Sequence, residues 1–215
     1  MTKFINLHTH TFSNLSDVME VVNQYPWEFD ASIPSYSIGI HPWYIDENRL
    51  ETDLETIKQK LQLDKCLALG ECGLDKRIEI PLELQISVFK QQLELVKETQ
   101  KPIVLHCVAA YDEVIAIKKE MKMENPMIIH GFSKNEKVAQ SLLKNGFYLS
   151  FGKYLLRNPD LEKVFTFAPE NQILLETDTI EESIYQVYEK AAEIKGISVE
   201  EMKTIVFTNF STIFS

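Results

Sequence analysis

The sequence is poor in the residues that build cross-linked or repetitive scaffolds. Its 215 residues include three cysteines, Cys66, Cys72 and Cys107, and none of them forms a C-x-x-C pair. A disulfide framework and a structural zinc cluster are therefore not expected, and the chain suits a reducing compartment. Only 7 glycines and 8 prolines are present, which excludes a collagen-like or low-complexity chain.

Long hydrophobic runs are also missing. No apolar stretch approaches the roughly 18 residues that a membrane helix needs. Near the N-terminus, polar His8 and His10 come too soon for the apolar region of a signal peptide. We therefore expect a cytoplasmic protein that binds no membrane, and nothing in the sequence indicates an obligate protein partner.

Positive charge is scarce as well. Lys and Arg number 22 against 32 Asp and Glu, which gives a formal net charge of −10. This balance argues against a broad basic surface that grips nucleic acid non-specifically. A small cationic site is still compatible with it, because bound divalent ions add positive charge that a count of side chains omits.

Short apolar runs alternate with longer amphipathic ones along almost the whole chain. Each short run is too brief for a buried helix and is rich in Ile, Val, Leu or aromatic residues, which favours β-strands. The predicted strands are Phe4–Leu7, Val18–Asn23, Tyr36–Ile40, Cys66–Leu69, Ile103–Leu105, Met127–Ile129, Phe147–Ser150 and Ile173–Leu175. The predicted helices are Arg49–Leu61, Leu82–Thr99, Ala110–Met123, Glu136–Lys144, Ile180–Lys195 and Ser198–Phe210.

Strands alternating with helices predict a parallel sheet with helical crossovers. Eight strands favour an α/β fold of the TIM-type (β/α)8 barrel class, and a doubly wound sheet is the competing fold. The length lies near the lower end of the barrel range, about 200 to more than 400 residues. Between His10 and Tyr36 there is no room for ordinary helices on both sides of a strand. We expect one domain over residues 1–215, a compact or distorted barrel whose first crossovers are trimmed to loops.

Every histidine follows a predicted strand. The five are His8, His10, His41, His106 and His130. In a parallel barrel the carboxyl ends of the strands meet at one mouth, where active sites are built. His8 and His10 are two residues apart, so their side chains share one face of an extended strand. Two exposed rings on a half-buried strand are the simpler alternative, but Glu71 and Asp178 also follow predicted strands.

Imidazoles and carboxylates gathered in this way are the ligands of zinc-type sites. Six candidates exceed what one tetrahedral ion uses, so we expect two divalent ions bound by His8, His10, Glu71, His106, His130 and Asp178. A carboxylate such as Glu71 could bridge the ions through its two oxygens. Paired metals orient a phosphoryl or carbonyl oxygen and generate hydroxide near neutral pH, which predicts a hydrolase.

The same residues belong to an ordered series of short motifs. These are His8-Thr9-His10, Gly39-Ile40-His41-Pro42-Trp43, Gly70-Glu71-Cys72-Gly73-Leu74-Asp75, Pro102 to His106, His130-Gly131-Phe132-Ser133 and Glu176-Thr177-Asp178. In this order, from about residue 4 to 214, they resemble the TatD-related metal-dependent hydrolases of the amidohydrolase-like barrel superfamily. The resemblance implies a TIM-type barrel, two divalent ions (Zn²⁺, Mn²⁺ or Mg²⁺) and hydrolysis of phosphodiester bonds in DNA, typically as an exonuclease.

The resemblance also implies individual roles. The first ion would be held by His8 and His10 beside Asp178, and the second by His106 and His130, with Glu71 as the bridge. Asp178 and Glu71 would be the catalytic residues, and Asp178 would orient or deprotonate the attacking water.

Four positions depart from the family's usual pattern: Val108 stands in place of Arg, Lys134 of Gly, Ile180 of Pro, and Trp43 of His. Loss of the Arg removes a bidentate phosphate contact, which Lys134 or Lys76 would replace only partly. The expected substrates are therefore DNA ends or a small phosphoester. Hydrolysis of a small amide or lactone, and a non-catalytic metal-binding role, are the alternatives.

Four further polar residues are assigned to substrate binding or to orienting the ligands: His41, Asp75, Lys134 and Glu176. Asp75 is expected to orient a ligand or to cap the next helix. Purely structural roles are the alternative for His41 and Glu176. Aromatic side chains that could line a cleft for a nucleobase, or simply pack, are Trp27, Trp43, Tyr36 and Tyr154.

Overall fold

A computed structural model describes residues 2–215. Their contacts group into two compact units. One contains the chain up to Val22 together with Ile128–Ser215, and the other contains Asn23–Met127. The single domain expected from the sequence stays a prediction.

Eight strands and eight α-helices alternate along the described residues. The strands are Phe4–Thr9 (β1), Val18–Gln24 (β2), Tyr36–Ile38 (β3), Cys66–Asp75 (β4), Ile103–Val108 (β5), Met127–Ile129 (β6), Phe147–Phe151 (β7) and Ile173–Leu175 (β8). The helices are Leu50–Lys60 (α1), Leu82–Val96 (α2), Tyr111–Glu120 (α3), Glu136–Lys144 (α4), Lys153–Arg157 (α5), Asp160–Phe167 (α6), Ile184–Lys195 (α7) and Val199–Ile213 (α8).

The strands follow one another in the sheet in their order along the chain. Pairing is parallel wherever the register is defined, as between Phe4 and Val18 of β1 and β2 and between Leu149 and Ile173 of β7 and β8. Strand β6 is buried throughout. Continuous burial rather than strict alternation is typical of parallel strands covered on both faces, and it explains why short apolar runs predicted these strands.

The first two crossovers are trimmed, as expected. Residues 10–17, all of them described, connect β1 to β2 without an α-helix, and residues 25–35 connect β2 to β3 with one 3₁₀ turn, Pro26–Glu28. These connections contain no α-helix because so few residues cannot form both a packed helix and the turns that join it to the strands.

Strand β4 is longer than the apolar run that predicts it. It continues past Leu69 through polar residues as far as Asp75. Gly70 and Gly73 make this continuation possible, because a Cβ at these positions would lie 2.4 Å from the Val104 carbonyl oxygen and 2.1 Å from that of His106. The close approach of β4 to β5 therefore depends on glycine and carries Glu71 and Asp75 on a paired strand.

Three helices differ from the expected pattern. Helix α7 begins at Ile184 rather than Ile180, because Ser183 and Gln186 form a capping box there. The short helices α5 and α6 were not predicted at all. Helix α6 buries only Leu161, Val164 and Phe165, a stripe too short to stand out as a helical period. No helix within residues 2–215 has the length and apolar character needed to cross a bilayer.

Candidate metal centre

In the first unit, the carboxyl ends of β1 and β8 bring two histidines to one aspartate. Thr9 pairs with Asp178 in a parallel bridge, and the Asp178 N–H donates to the His8 carbonyl oxygen at 2.9 Å. The His10 N–H donates to the Asp178 carbonyl oxygen at 3.3 Å. These backbone bonds fix the side chains of His8, His10 and Asp178 beside one another.

The three side chains form a nitrogen and oxygen ligand set. Asp178 Oδ1 lies 3.8 Å from His8 Nε2 and 3.5 Å from His10 Nε2. Ligands at about 2.1 Å from one tetrahedral ion lie roughly 3.4 Å apart, so the spacing fits a divalent ion. The side chains of His10 and Asp178 are each 27% exposed, which leaves the cluster open to substrate.

His130, at the end of β6, is held by a buried carboxylate of the same unit. Glu176 Oε1 lies 3.3 Å from His130 Nδ1 and accepts a 2.7 Å hydrogen bond from the Gly131 N–H. The imidazoles of His8 and His130 lie against each other, with ring centroids 4.3 Å apart. A proton on Nδ1 that is shared with Glu176 makes Nε2 the nitrogen of His130 that can bind an ion.

In the second unit, two carboxylates of β4 enclose the imidazole of His106 on β5. Nδ1 of His106 lies 3.1 Å from Glu71 Oε1, and Nε2 lies 3.1 Å from Asp75 Oδ2. A neutral imidazole has one N–H donor and one lone pair, so it satisfies only one of these two acceptors. At the other contact the lone pair of the ring nitrogen faces a carboxylate oxygen, and a metal ion between them would relieve this repulsion. The residues present therefore fit a metal ion.

Asp75 is anchored by several hydrogen bonds. It accepts hydrogen bonds of 2.8 Å from the Trp43 indole and from the Arg77 N–H, and its own N–H donates to Gln85. Burial by itself raises the pKa of Asp75, but these bonds and the contact with His106 outweigh it and hold the pKa below its usual value. Asp75 is thus an ionised acceptor that fixes Nε2 of His106.

His41 contacts Glu71 and is not exposed to solvent. Its Nδ1 accepts a hydrogen bond from the backbone N–H of Trp43, and its Nε2 lies 3.2 Å from Glu71 Oε1. Because Nδ1 is an acceptor, the proton of the neutral ring is on Nε2, where it is donated to Glu71. His41 is buried, so the geometry favours the orienting role over direct contact with substrate.

Lys134 lies just before α4. It lines a cleft of about 520 Å³ in the first unit, together with Lys137, Asn158 and Lys163. None of the predicted ligands is among the described residues that line this cleft. The predicted substrate-binding role of Lys134 stays a prediction.

Sequence reasoning gave no site role to several polar residues that hold His41, Glu71 and His106 of the second unit in place. Asn23 Oδ1 accepts from the Glu71 N–H at 2.8 Å, and Gln92 bonds to both the N–H and the carbonyl oxygen of Ile40, next to His41. Gln85 and Gln92 are seven residues apart, and both are buried on α2. Two glutamines on the apolar face of a helix are the signal that could have identified them, since buried amides need partners.

Comparisons with known proteins place these clusters in a family. Residues 1–215 match the family described as TatD related DNase. The uncharacterized metal-dependent hydrolase YabD of Bacillus subtilis (strain 168) is 32% identical over 93% of this chain and 82% of its own length. The 3′-5′ ssDNA/RNA exonuclease TatD of Erwinia billingiae (strain Eb661) is 31% identical over 65% of this chain and 55% of its own length.

A solved structure shows the same fold. The crystal structure of YJJV, a TatD homologue from Escherichia coli K12, matches with a TM-score of 0.85 and 22% identity, over 99% of this chain and 98% of that one. The predicted TIM-type barrel class is confirmed, as is the activity class of metal-dependent hydrolase. This chain belongs to the family of TatD-related DNases.

Proposed function

We propose that the protein hydrolyses phosphodiester bonds at the ends of DNA with the help of two divalent metal ions. The observation that carries the proposal is the set of His8, His10 and Asp178, three ligand groups at the spacing of a divalent ion, of which His10 and Asp178 are partly exposed to solvent. A relative is named as an exonuclease acting on single-stranded DNA and RNA, which supports a nucleic acid substrate.

One ion would be held by His8, His10 and Asp178 of the first unit, and another by Glu71 and His106 of the second unit. His130 of the first unit stays a predicted ligand. Such ions activate water and stabilise charge on phosphoryl oxygens. Imidazole and carboxylate ligands accept Zn²⁺, Mn²⁺ and Mg²⁺. The count of two ions and the bridging role of Glu71 stay predictions.

The protein's own groups would position the ligands and move a proton. Asp178 would orient the attacking water or accept its proton, since its carboxylate is partly exposed and lies beside His8 and His10. Glu176, Asp75 and His41 would act through His130, His106 and Glu71 respectively, by holding each in one orientation. They are positioning residues.

The direct test combines metal analysis with cleavage of end-labelled single-stranded DNA in the presence of Mg²⁺, Mn²⁺ or Zn²⁺. Glu71→Ala and Asp178→Asn should abolish cleavage while leaving the fold intact by circular dichroism. Asp64→Asn, at an exposed carboxylate in the loop between α1 and β4, is the matched control and should cleave like the unaltered protein. Full activity of Asp178→Asn would refute the proposal.

A small phosphoester is the second candidate substrate, and the charges of the second unit favour it. Val108 stands where the family's Arg is expected, and Lys76, which donates its N–H to the Val108 carbonyl oxygen, forms an ion pair with Glu113. A paired lysine offers less charge to a polyanion than an unpaired arginine does. Hydrolysis of a chromogenic phosphodiester, with no cleavage of DNA at any length, would establish this candidate in place of the first.

A further inference from the structure

One large aromatic side chain of the second unit is exposed beside His106, a proposed metal ligand. Trp43 belongs to a 3₁₀ turn, Pro42–Tyr44, that directly follows His41. It is 53% exposed and its neighbour Tyr44 is 44% exposed. An indole with this much accessible surface gains free energy when an apolar, planar group packs against it.

The indole is held in place rather than mobile. Its Nε1 donates a 2.8 Å hydrogen bond to Asp75 Oδ2, the same oxygen that lies 3.1 Å from His106. Its ring lies edge-on to two imidazoles, with centroids 5.1 Å from His41 and 5.8 Å from His106. Trp43 therefore presents a flat apolar surface at a fixed distance from His106, a proposed metal ligand.

Further aromatic rings support the turn from behind. Tyr44 packs edge-on against Trp27 and Tyr25, which stack on each other at 4.9 Å. The Arg49 guanidinium lies 3.8 Å above the Trp27 ring. Trp27 is half-buried and Tyr36 is buried, so that Trp43 is the most exposed of the aromatic residues of this unit noted in the sequence.

The charges near the turn leave little Coulombic attraction for a nucleotide. Arg49 is bonded to Asp53, and Lys76 is paired with Glu113. With a net charge of −10, the protein repels a long polyanion at low salt. Affinity for a nucleotide must then come from the metal ions and from contacts with the base, which is uncharged and planar.

We propose that Trp43, extended by Tyr44, is the stacking surface for the nucleobase adjoining the bond that is hydrolysed. The inference rests on the proposed phosphodiester hydrolysis and names the part of the substrate that the protein recognises. Stacking is sequence-tolerant, because every base has a π-face, and changes affinity about five- to hundredfold per base. The substrate is accordingly a nucleotide end of any sequence rather than a base-free phosphoester.

A binding experiment tests the stacking without turnover. The chain has two tryptophans, so a Trp27→Phe protein reports on Trp43 alone by fluorescence. Titration with dAMP should quench the emission saturably, whereas 2-deoxyribose 5-phosphate, which lacks the base, should not. Absence of saturable quenching by dAMP, or equal quenching by both probes, would overturn the stacking.

A kinetic experiment separates stacking from the hydrogen bond to Asp75. The readout is the ratio of kcat/KM for a dinucleotide to kcat/KM for the same compound with the terminal base removed. Trp43→Leu should lower this ratio about tenfold, and Trp43→Phe, which keeps a ring but loses the N–H, should retain most of it. Phe167→Leu, at an aromatic residue 45% exposed in the first unit, is the matched control and should not change it.

The outcomes also separate this inference from the proposed function. If Trp43→Phe and Trp43→Leu lower both kcat/KM values equally, Trp43 acts through Asp75 and the stacking is refuted while hydrolysis stands. If dAMP quenches Trp43 saturably but no phosphodiester is cleaved, the base-binding surface stands and the proposed reaction is refuted.

Discussion

Glu176 Oε1 lies 3.3 Å from Nδ1 of His130, and the glutamate that makes this contact is completely buried. Its second oxygen, Oε2, is buried with no hydrogen-bond partner among the described residues. Burying a carboxylate without a full set of hydrogen-bond partners costs free energy. Its persistence here is explained if the contact with His130 orients the imidazole for a cation.

Glu176→Gln should therefore weaken metal binding without unfolding the protein. The amide keeps the shape of the side chain but loses the charge that holds the Nδ1 proton of His130. Loss of such a partner lowers metal affinity about 10–100-fold, which calorimetric titration of the metal-free protein with Mn²⁺ would measure. The control is Glu182→Gln, which removes an exposed ion pair with Arg157. Equal affinities in all three proteins would contradict the role of Glu176.

Tyr188→Phe should cost about 1–3 kcal/mol in the free energy of unfolding. The Tyr188 hydroxyl accepts from the Ile5 N–H at 3.0 Å and donates to the Ile5 carbonyl oxygen at 3.1 Å, in the core of the first unit. Removing it leaves a buried backbone donor unsatisfied. Tyr185→Phe is the matched control. Both tyrosine rings contact the Phe4 ring, but the Tyr185 hydroxyl donates to Asp17, which is exposed. Urea unfolding curves would compare the two, and equal losses would refute the account.

Gly73→Ala should destabilise the protein by roughly 2–4 kcal/mol. The backbone at Gly73 has a φ of 139°, and a Cβ there would lie 2.1 Å from the His106 carbonyl oxygen, so β4 would have to separate from β5. Gly196→Ala is the control, since its φ of 67° is also positive but nothing lies within 4 Å. It should cost only about 1–2 kcal/mol. Similar costs by thermal unfolding would show that the close approach is unimportant.

The three cysteines should not react with a thiol reagent such as DTNB at pH 8 until the protein unfolds. All three are buried, and burial raises the pKa of Cys66 to about 11 and that of Cys107 to about 12. The thiolate, which is the reactive form, is therefore scarce at this pH. Stoichiometric labelling in urea provides the control, and rapid labelling of the native protein would contradict the prediction.

Much of the fold could be predicted because strand and helix periodicity is local. Helix α4 has the predicted bounds, Glu136–Lys144, and the strands Met127–Ile129 and Ile173–Leu175 agree as well. The polar end of β4 was not predicted, because Gly70 to Asp75 form a strand only through pairing with β5. Helices α5 and α6 were missed because each is too short for its apolar spacing to stand out.

For the candidate site, the residue types and their places after the strands could be predicted, but not the contacts of each side chain. The sequence indicated that His41 is not needed as a ligand. It could not show that Nδ1 of His41 accepts from Trp43 while Nε2 faces Glu71. Nor could it show that Trp43 is tied to Asp75, 32 residues away.

The sequence by itself determined the α/β class, the family and the chemical groups that stand after the strands, because these depend on periodicity and residue type along the chain. Only the tertiary structure decided which nitrogen of each imidazole a carboxylate occupies, as Asp75 does for His106 and Glu176 for His130. It also decided which indole is exposed. The reason is physical: the orientation of a side chain is set by neighbours that folding brings from distant parts of the chain, and local sequence carries no record of them.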